Sequence, residues 1–216
     1  MIKAYHFLQA DMTAGSGDEK PWEIGEERTI KDKKSIKLCE YGYHSSPTLW
    51  DCLNYASGPI ACLVEISKPI GTDETKDQRK AVSASRKLIK AVNVERELRL
   101  FACDCAERVL HIYEKNNSSK APRKAIAVVR RFADGKATTE ELAAAWDAAQ
   151  AARAAARDAA QDAAWYAARA AWDAARDAAL YAARAAARAA AWDAEHKWQR
   201  KHFEQMFGGI FDEVRR

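Results

Sequence analysis

Proline and glycine are scarce and unevenly placed: the 216 residues hold five prolines and nine glycines, and none of either falls between Lys136 and Phe207. A stretch of that length without a breaker has no obligatory helix stop, so residues 138 to 206 are expected to be almost wholly helical. No apolar run approaches the roughly 18 to 20 residues that a membrane-spanning helix needs. Met1-Ile2-Lys3 leads into folded-type sequence without a signal-peptide pattern, so the expected location is the cytoplasm, with no membrane partner. Charge of one sign is lacking too. Thirty-five basic against 31 acidic residues leave +4, too small a surplus to argue for a nucleic-acid partner. The five cysteines (Cys39, Cys52, Cys62, Cys103 and Cys105) are odd in number and lie in apolar contexts, which fits reduced thiols better than a disulfide framework. Cys103-x-Cys105 on a helix would point its two side chains roughly 200° apart. With no Cys-x-x-Cys partner, no metal site is expected. No complete catalytic motif is present, so no catalytic residue is assigned.

What is there divides in two and predicts an α+β protein: a small mixed α/β head over residues 1–94, then an alanine-rich all-helical part over 95–216, built of long helices as a hairpin or bundle. In the head, Ala4 to Leu8 reads as a first strand and the stretch through Lys37 as loop. Leu38 to His44 reads as a second extended segment. Pro47 then precedes a helix over 48–56, with apolar residues at 49, 52, 53 and 56. Ile60 to Ile66 is a continuous apolar run of strand length, stopped by Pro69 and Gly71. It is expected to be the central, most buried strand, flanked by the His6 strand and covered by Trp50 and Leu53. Residues 72 to 94 are charged and are expected to be helical in part.

From Glu95 the period changes: Leu98, Phe101, Cys105, Val109 and Ile112 mark one helix face. A second helix follows Pro122, carries Ile126, Val129 and Phe132 inward and stops at Gly135, a residue suited to the left-handed position after a helix. Thr138-x-x-Glu141 is a capping box that opens the tail. Within the tail, RDAAQDAAWYAARAA (157–171) and WDAARDAALYAARAA (172–186) repeat at a period of fifteen. Paired alanines on one face permit close helix contact and a homo-oligomer through that face. A stripe of larger residues includes Trp165, Arg169, Trp172 and Arg176, the candidate protein-binding surface. From Ala143 to Ala194 six Arg are matched by six Asp, so local pairing accounts for the stripe's charge without phosphate.

Two stretches resemble known families. Glu97 to Leu110, ELRLFACDCAERVL, followed by Pro122-Arg123-Lys124-Ala125-Ile126 and the Ala-Ala-Arg tail, resembles the helical immunity-protein family of bacterial polymorphic-toxin loci, which also occurs in phage-like contexts. The resemblance covers roughly residues 95–200. It implies a binding protein whose partner is a bacterial toxin or a defence protein, in the host cytoplasm where the chain is phage-encoded. In the head, His6 on the first strand, Gly42-Tyr43-His44-Ser45-Ser46, Asn54-Tyr55-Ala56 and the strand 60–66 are similar in order and spacing to the NAD-binding half of ADP-ribosyltransferases. That resemblance implies that His6 holds a ribose while His44 and Tyr55 flank a nicotinamide. His44 stands where that family carries a tyrosine. Its catalytic Glu, on a later strand, has no counterpart in a matching motif; Glu65 and Glu95 are the nearest candidates.

The leading expectation is therefore a non-enzymatic immunity or anti-defence protein that neutralises a partner protein or sequesters a nucleotide signal of the NAD or ADP-ribose type, with no required cofactor. Two alternatives stay open. One is an NAD-dependent ADP-ribosyltransferase acting on a host or rival protein. The other is an oligomeric structural coiled coil, with His6 and Tyr55 as ordinary core or edge residues.

Overall fold

The computed structural model describes residues 1–15, 19–73, 79–116, 118–149, 151 and 178–212. The α+β class is as expected, with strands in the first half and helices after it. Seven strands come first: β1 (Ile2–Leu8), β2 (Glu27–Thr29), β3 (Tyr43–Ser45), β4 (Ile60–Ile66), β5 (Gly71–Asp73), β6 (Lys80–Ser83) and β7 (Ser85–Asn93). A short helix α1 (Leu49–Leu53) interrupts them. Helices α2 (Glu95–Asn116), α3 (Ala121–Ala133), α4 (described over residues 139–149) and α5 (Ala178–Phe207) follow.

The chain divides into two compact units, Met1–Leu98 with Phe203–Arg216, and Arg99–His202. In the first, one sheet has the order β1-β4-β7-β2 and a second the order β3-β6-β5, all pairs antiparallel. β4 is central, as its continuous apolar run demands, with β1 on one side and β7 on the other. Side chains alternate across a strand, so Ala4, Leu8, Ile60, Cys62, Val64, Ile66 and Leu88 form one cluster around Trp22. α1 packs on β1, with Trp50 buried and Leu53 half-buried. Trp50 meets Phe203 edge-on at 5.4 Å between ring centroids, and Phe203 stacks on Phe207 at 4.2 Å. The end of α5 and the turns after it thus belong to this unit. Lys90 Nζ donates to the Phe211 carbonyl (2.6 Å), and the Phe211 ring lies 5.9 Å from that of Tyr5.

The expectation of helix in part of 72–94 is not met among the described residues, where β6 and β7 occupy most of the segment; residues 74–78 lie outside them. The spacing of Leu88, Ile89 and Val92 suits a helix as well as a strand, and pairing of β7 along the whole of β4 decides between them. The extended reading of Leu38–His44 holds only from Tyr43; residues 38–40 form a turn, with Cys39 at φ +68. α1 is shorter than the expected 48–56, and Thr48, expected inside it, is its N-cap.

In the second unit the capping box is present: the Thr138 amide donates to Glu141 Oε2 (2.8 Å) and the Glu141 amide to Thr138 Oγ1 (3.2 Å). Gly135 takes φ +69 after α3. Among the described residues here only Phe101, Cys103 and Leu110 are buried apolar side chains. Ion pairs link the helices instead: Arg130 to Asp104 (2.6 Å) and Glu107 (2.7 Å), Arg123 to Glu114 (2.7 Å), and Arg108 to Glu195 (2.7 Å). The stripe residues Trp165, Arg169, Trp172 and Arg176 and most of the fifteen-residue repeat lie outside the described residues, and with them the expectation about the alanine face.

Candidate functional site

Pairing in the first unit carries His6 and His44 to one place. β3 runs out beside the free edge of β1, where Tyr5 and Ser46 exchange two backbone hydrogen bonds of 2.9 Å. The approach needs Gly42: at φ +132 its backbone passes so close to Val82 and Ile36 that a Cβ would collide with both. Thr48 then starts α1, accepting from the Asp51 amide (3.1 Å) and donating to Asp51 Oδ2 (2.6 Å). Asp51 is fully buried, and Arg79 reaches the same oxygen at 2.9 and 3.2 Å. That pair fixes α1 beside the start of β6, which sets Tyr55, just past α1, against Lys80: the ammonium stands 4.5 Å from the Tyr55 ring centroid.

The result is a cavity of about 290 Å³ lined by His6, Cys39, His44, Ser45, Ser46, Cys52, Tyr55 and Lys80. All three residues singled out in the head, His6, His44 and Tyr55, face it. Glu65 and Glu95 do not line it, and among the described residues neither does any other carboxylate; Lys80 is the one charged lining group among them.

Each lining group has a defined state. Burial, the Arg86 guanidinium and His44 hold the His6 imidazole well below its ordinary pKa, so it is neutral at pH 7. Its Nε2 is shielded and has no hydrogen-bond partner among the described residues, a costly condition for a polar atom. His44 is also held below its ordinary value, by burial and then by Lys80. It accepts from the Cys39 amide at Nε2 (2.9 Å) and hydrogen-bonds the Gly42 backbone, which places its proton on Nδ1 and leaves it to shape the cavity. Burial pushes the Cys52 thiol up to about 12, so it is not a nucleophile at neutral pH. A hydrogen bond with Cys39 raises Lys80, which stays cationic.

A second cavity of about 500 Å³ lies across the two histidines, lined by His6 and His44 again and by Ala14, Glu19, Ile30, Glu40, Tyr41, Gly42, Tyr43 and Arg86. Sequence reasoning missed Arg86. The available signal was its parity: Ala84, Arg86 and Leu88 alternate on one side of the chain, and all three are buried.

A model of the Imm-5 like putative immunity protein family matches residues 88–206, more than half of the chain. The chain belongs to that family. Membership gives this family member an immunity-type role and implies a toxin as its partner. Residues 2–100 match a domain of unknown function, DUF7666. Neither match is to an ADP-ribosyltransferase. No curated protein and no solved structure matches the chain. No helix among the described residues is long and apolar enough to cross a membrane.

Proposed function

We propose that this immunity-type protein uses its first unit to capture, without turnover, an anionic heteroaromatic ligand of the NAD or ADP-ribose class. The observation that carries the reading is the convergence of His6, His44 and Tyr55 on one cavity whose single charge among the described residues is Lys80. A cleft with few, convergent polar groups is the ordinary form of a ligand site. Neutral His6 lines the cavity and presents its imidazole to the ribose. Tyr55, 39% exposed, offers ring surface to a base, and Lys80 beside it attracts phosphate. Cleavage of a glycosidic bond to nicotinamide builds positive charge on the ribose, and a cavity lined, among the described residues, by a lysine and no carboxylate opposes that charge rather than stabilising it. The reading is therefore of a binder rather than a transferase. Trp165, Arg169, Trp172 and Arg176 are retained as the proposed surface for a protein partner.

The test is calorimetric titration of the full chain with NAD and with ADP-ribose, followed by chromatography of the mixture. The wild type is expected to bind at least one and release no nicotinamide. At 100 times the dissociation constant, binding adds about 2.7 kcal/mol of stability. The double variant H6A/Y55A is expected to lose that gain while keeping its melting profile. Unchanged binding by the double variant would overturn the pocket, and nicotinamide release would make the protein a transferase.

A further inference from the structure

Arg86 is the least expected group in the first unit. It is 3% exposed and sits on β7 directly opposite Arg28 of β2, a like-charge pair across the ladder. The two guanidiniums flank Trp22, at 4.1 Å (Arg28) and 4.5 Å (Arg86) from its ring centroid. Beyond Trp22 their partners differ. Arg28 reaches Glu26 at 2.6 Å, Glu19 at 3.4 Å and the carbonyls of Lys20 and Pro21. Arg86 has no carboxylate within ion-pair distance among the described residues; it donates once, to the His44 carbonyl at 3.2 Å, and stands 5.2 Å from the Tyr43 ring.

A buried guanidinium without a paired counter-ion is costly; Glu19 acts on it only from beyond ion-pair distance, and ring faces offset only part of the cost. The cavity it lines contains two carboxylates, and both have partners already. Glu19 binds Arg28, Trp22 Nε1 (2.8 Å) and the Ala14 amide (3.2 Å), and Glu40 binds Lys37 (2.5 Å). What remains is one buried cation with unfilled donors, at the floor of a cavity of about 500 Å³.

We propose that the Arg86 cavity is an oxyanion site that takes a phosphate or diphosphate group. The planar fork of a guanidinium pairs two phosphate oxygens at once, and Trp22 and Tyr43 hold that fork in place. His6 and His44 line both cavities, so a ligand whose base and ribose occupy the Tyr55 side has its phosphates within the same pair of walls. To that extent the inference rests on the proposed nucleotide reading; the oxyanion site itself does not.

Inorganic pyrophosphate, titrated calorimetrically into the full chain, separates the two. The wild type is expected to bind it, Y55A, whose ring lines only the other cavity, to bind it within twofold of wild type, and R86M to lose at least tenfold. R86K, which keeps the charge but not the paired N–H donors, is expected to lose nearly as much. If R86M does not fold, the wild-type Arg86 side-chain NH resonances carry the test, shifting on addition of pyrophosphate. Pyrophosphate binding with no ADP-ribose binding supports the oxyanion site and removes the nucleotide reading. Adenosine or ADP-ribose binding that R86M leaves unchanged, with no response to pyrophosphate, overturns the oxyanion site and leaves the nucleotide reading intact. Stronger binding of malonate than of pyrophosphate overturns the phosphate assignment.

Discussion

The two units of this chain are held by different forces. The first buries large side chains between strands and keeps its unusual charges inside: Asp51 and Arg86 are buried, the former against Arg79. The second, among its described residues, has few buried apolar groups and places its charges as partly exposed pairs between helices. A packed interior excludes water from a cavity and makes a single cation or imidazole count, whereas screened surface pairs align helices and contribute little each. The packed first unit therefore suits a small-ligand site.

The comparison breaks most directly at Phe203. Its side chain is 1% exposed between Trp50 and Phe207, so Phe203→Ala is expected to cost about 3–5 kcal/mol in denaturant unfolding. A cost under about 1 kcal/mol would mean that the C-terminal aromatics do not complete the first core. Next comes Arg79→Met, which leaves the Asp51 carboxylate buried without its cation; because Arg79 is 38% exposed, the expected loss is about 2 kcal/mol, below the usual cost of breaking a fully buried pair. On the other side, Thr138→Ala removes one arm of the capping box and is expected to cost about 1 kcal/mol, read as lost helicity on heating. Raising salt to 1 M is expected to lower the stability of the second unit by a few tenths of a kcal/mol per pair and to leave the first nearly unchanged.

Acid sharpens the same contrast. His6 and His44 have depressed values in the folded protein, so the unfolded chain takes up their protons first; the stability they support is full above about pH 6.5 and is lost as pH falls toward the folded values. Glu114, held at about 2 chiefly by its hydrogen bonds from Arg123, keeps its pair until the pH falls from about 4.5 to about 2. Histidine and carboxylate resonances followed by NMR are expected to move in that order, with no imidazolium signal from His6 at pH 6.5.

Much of this was legible in the residues. The continuous run Ile60–Ile66 announced a central strand, Thr138-x-x-Glu141 a cap, and Gly135 a left-handed stop, because each is a local rule that needs no partner. β7 was not legible, since Ser85–Asn93 gains its conformation from β4, and its apolar spacing alone fits a helix. Nor was the return of Phe203, Phe207 and Phe211 to the first unit: nothing in a breaker-free helix says where its last turn docks. In the site, His6, His44 and Tyr55 were found through a resemblance of order and spacing, whereas Lys80 and Arg86 come to the cavities only by pairing of β6 with β3 and of β7 with β4.

One measurement bears most directly on the central claim that the first unit carries a nucleotide site. Amide and side-chain NMR shifts of the full chain are recorded while ADP-ribose is added. The account predicts saturable changes at His6, Cys39, His44, Tyr55, Lys80 and Arg86, with the resonances of α3 unmoved. Changes confined to the helices of the second unit, or none at any of the six, would contradict it.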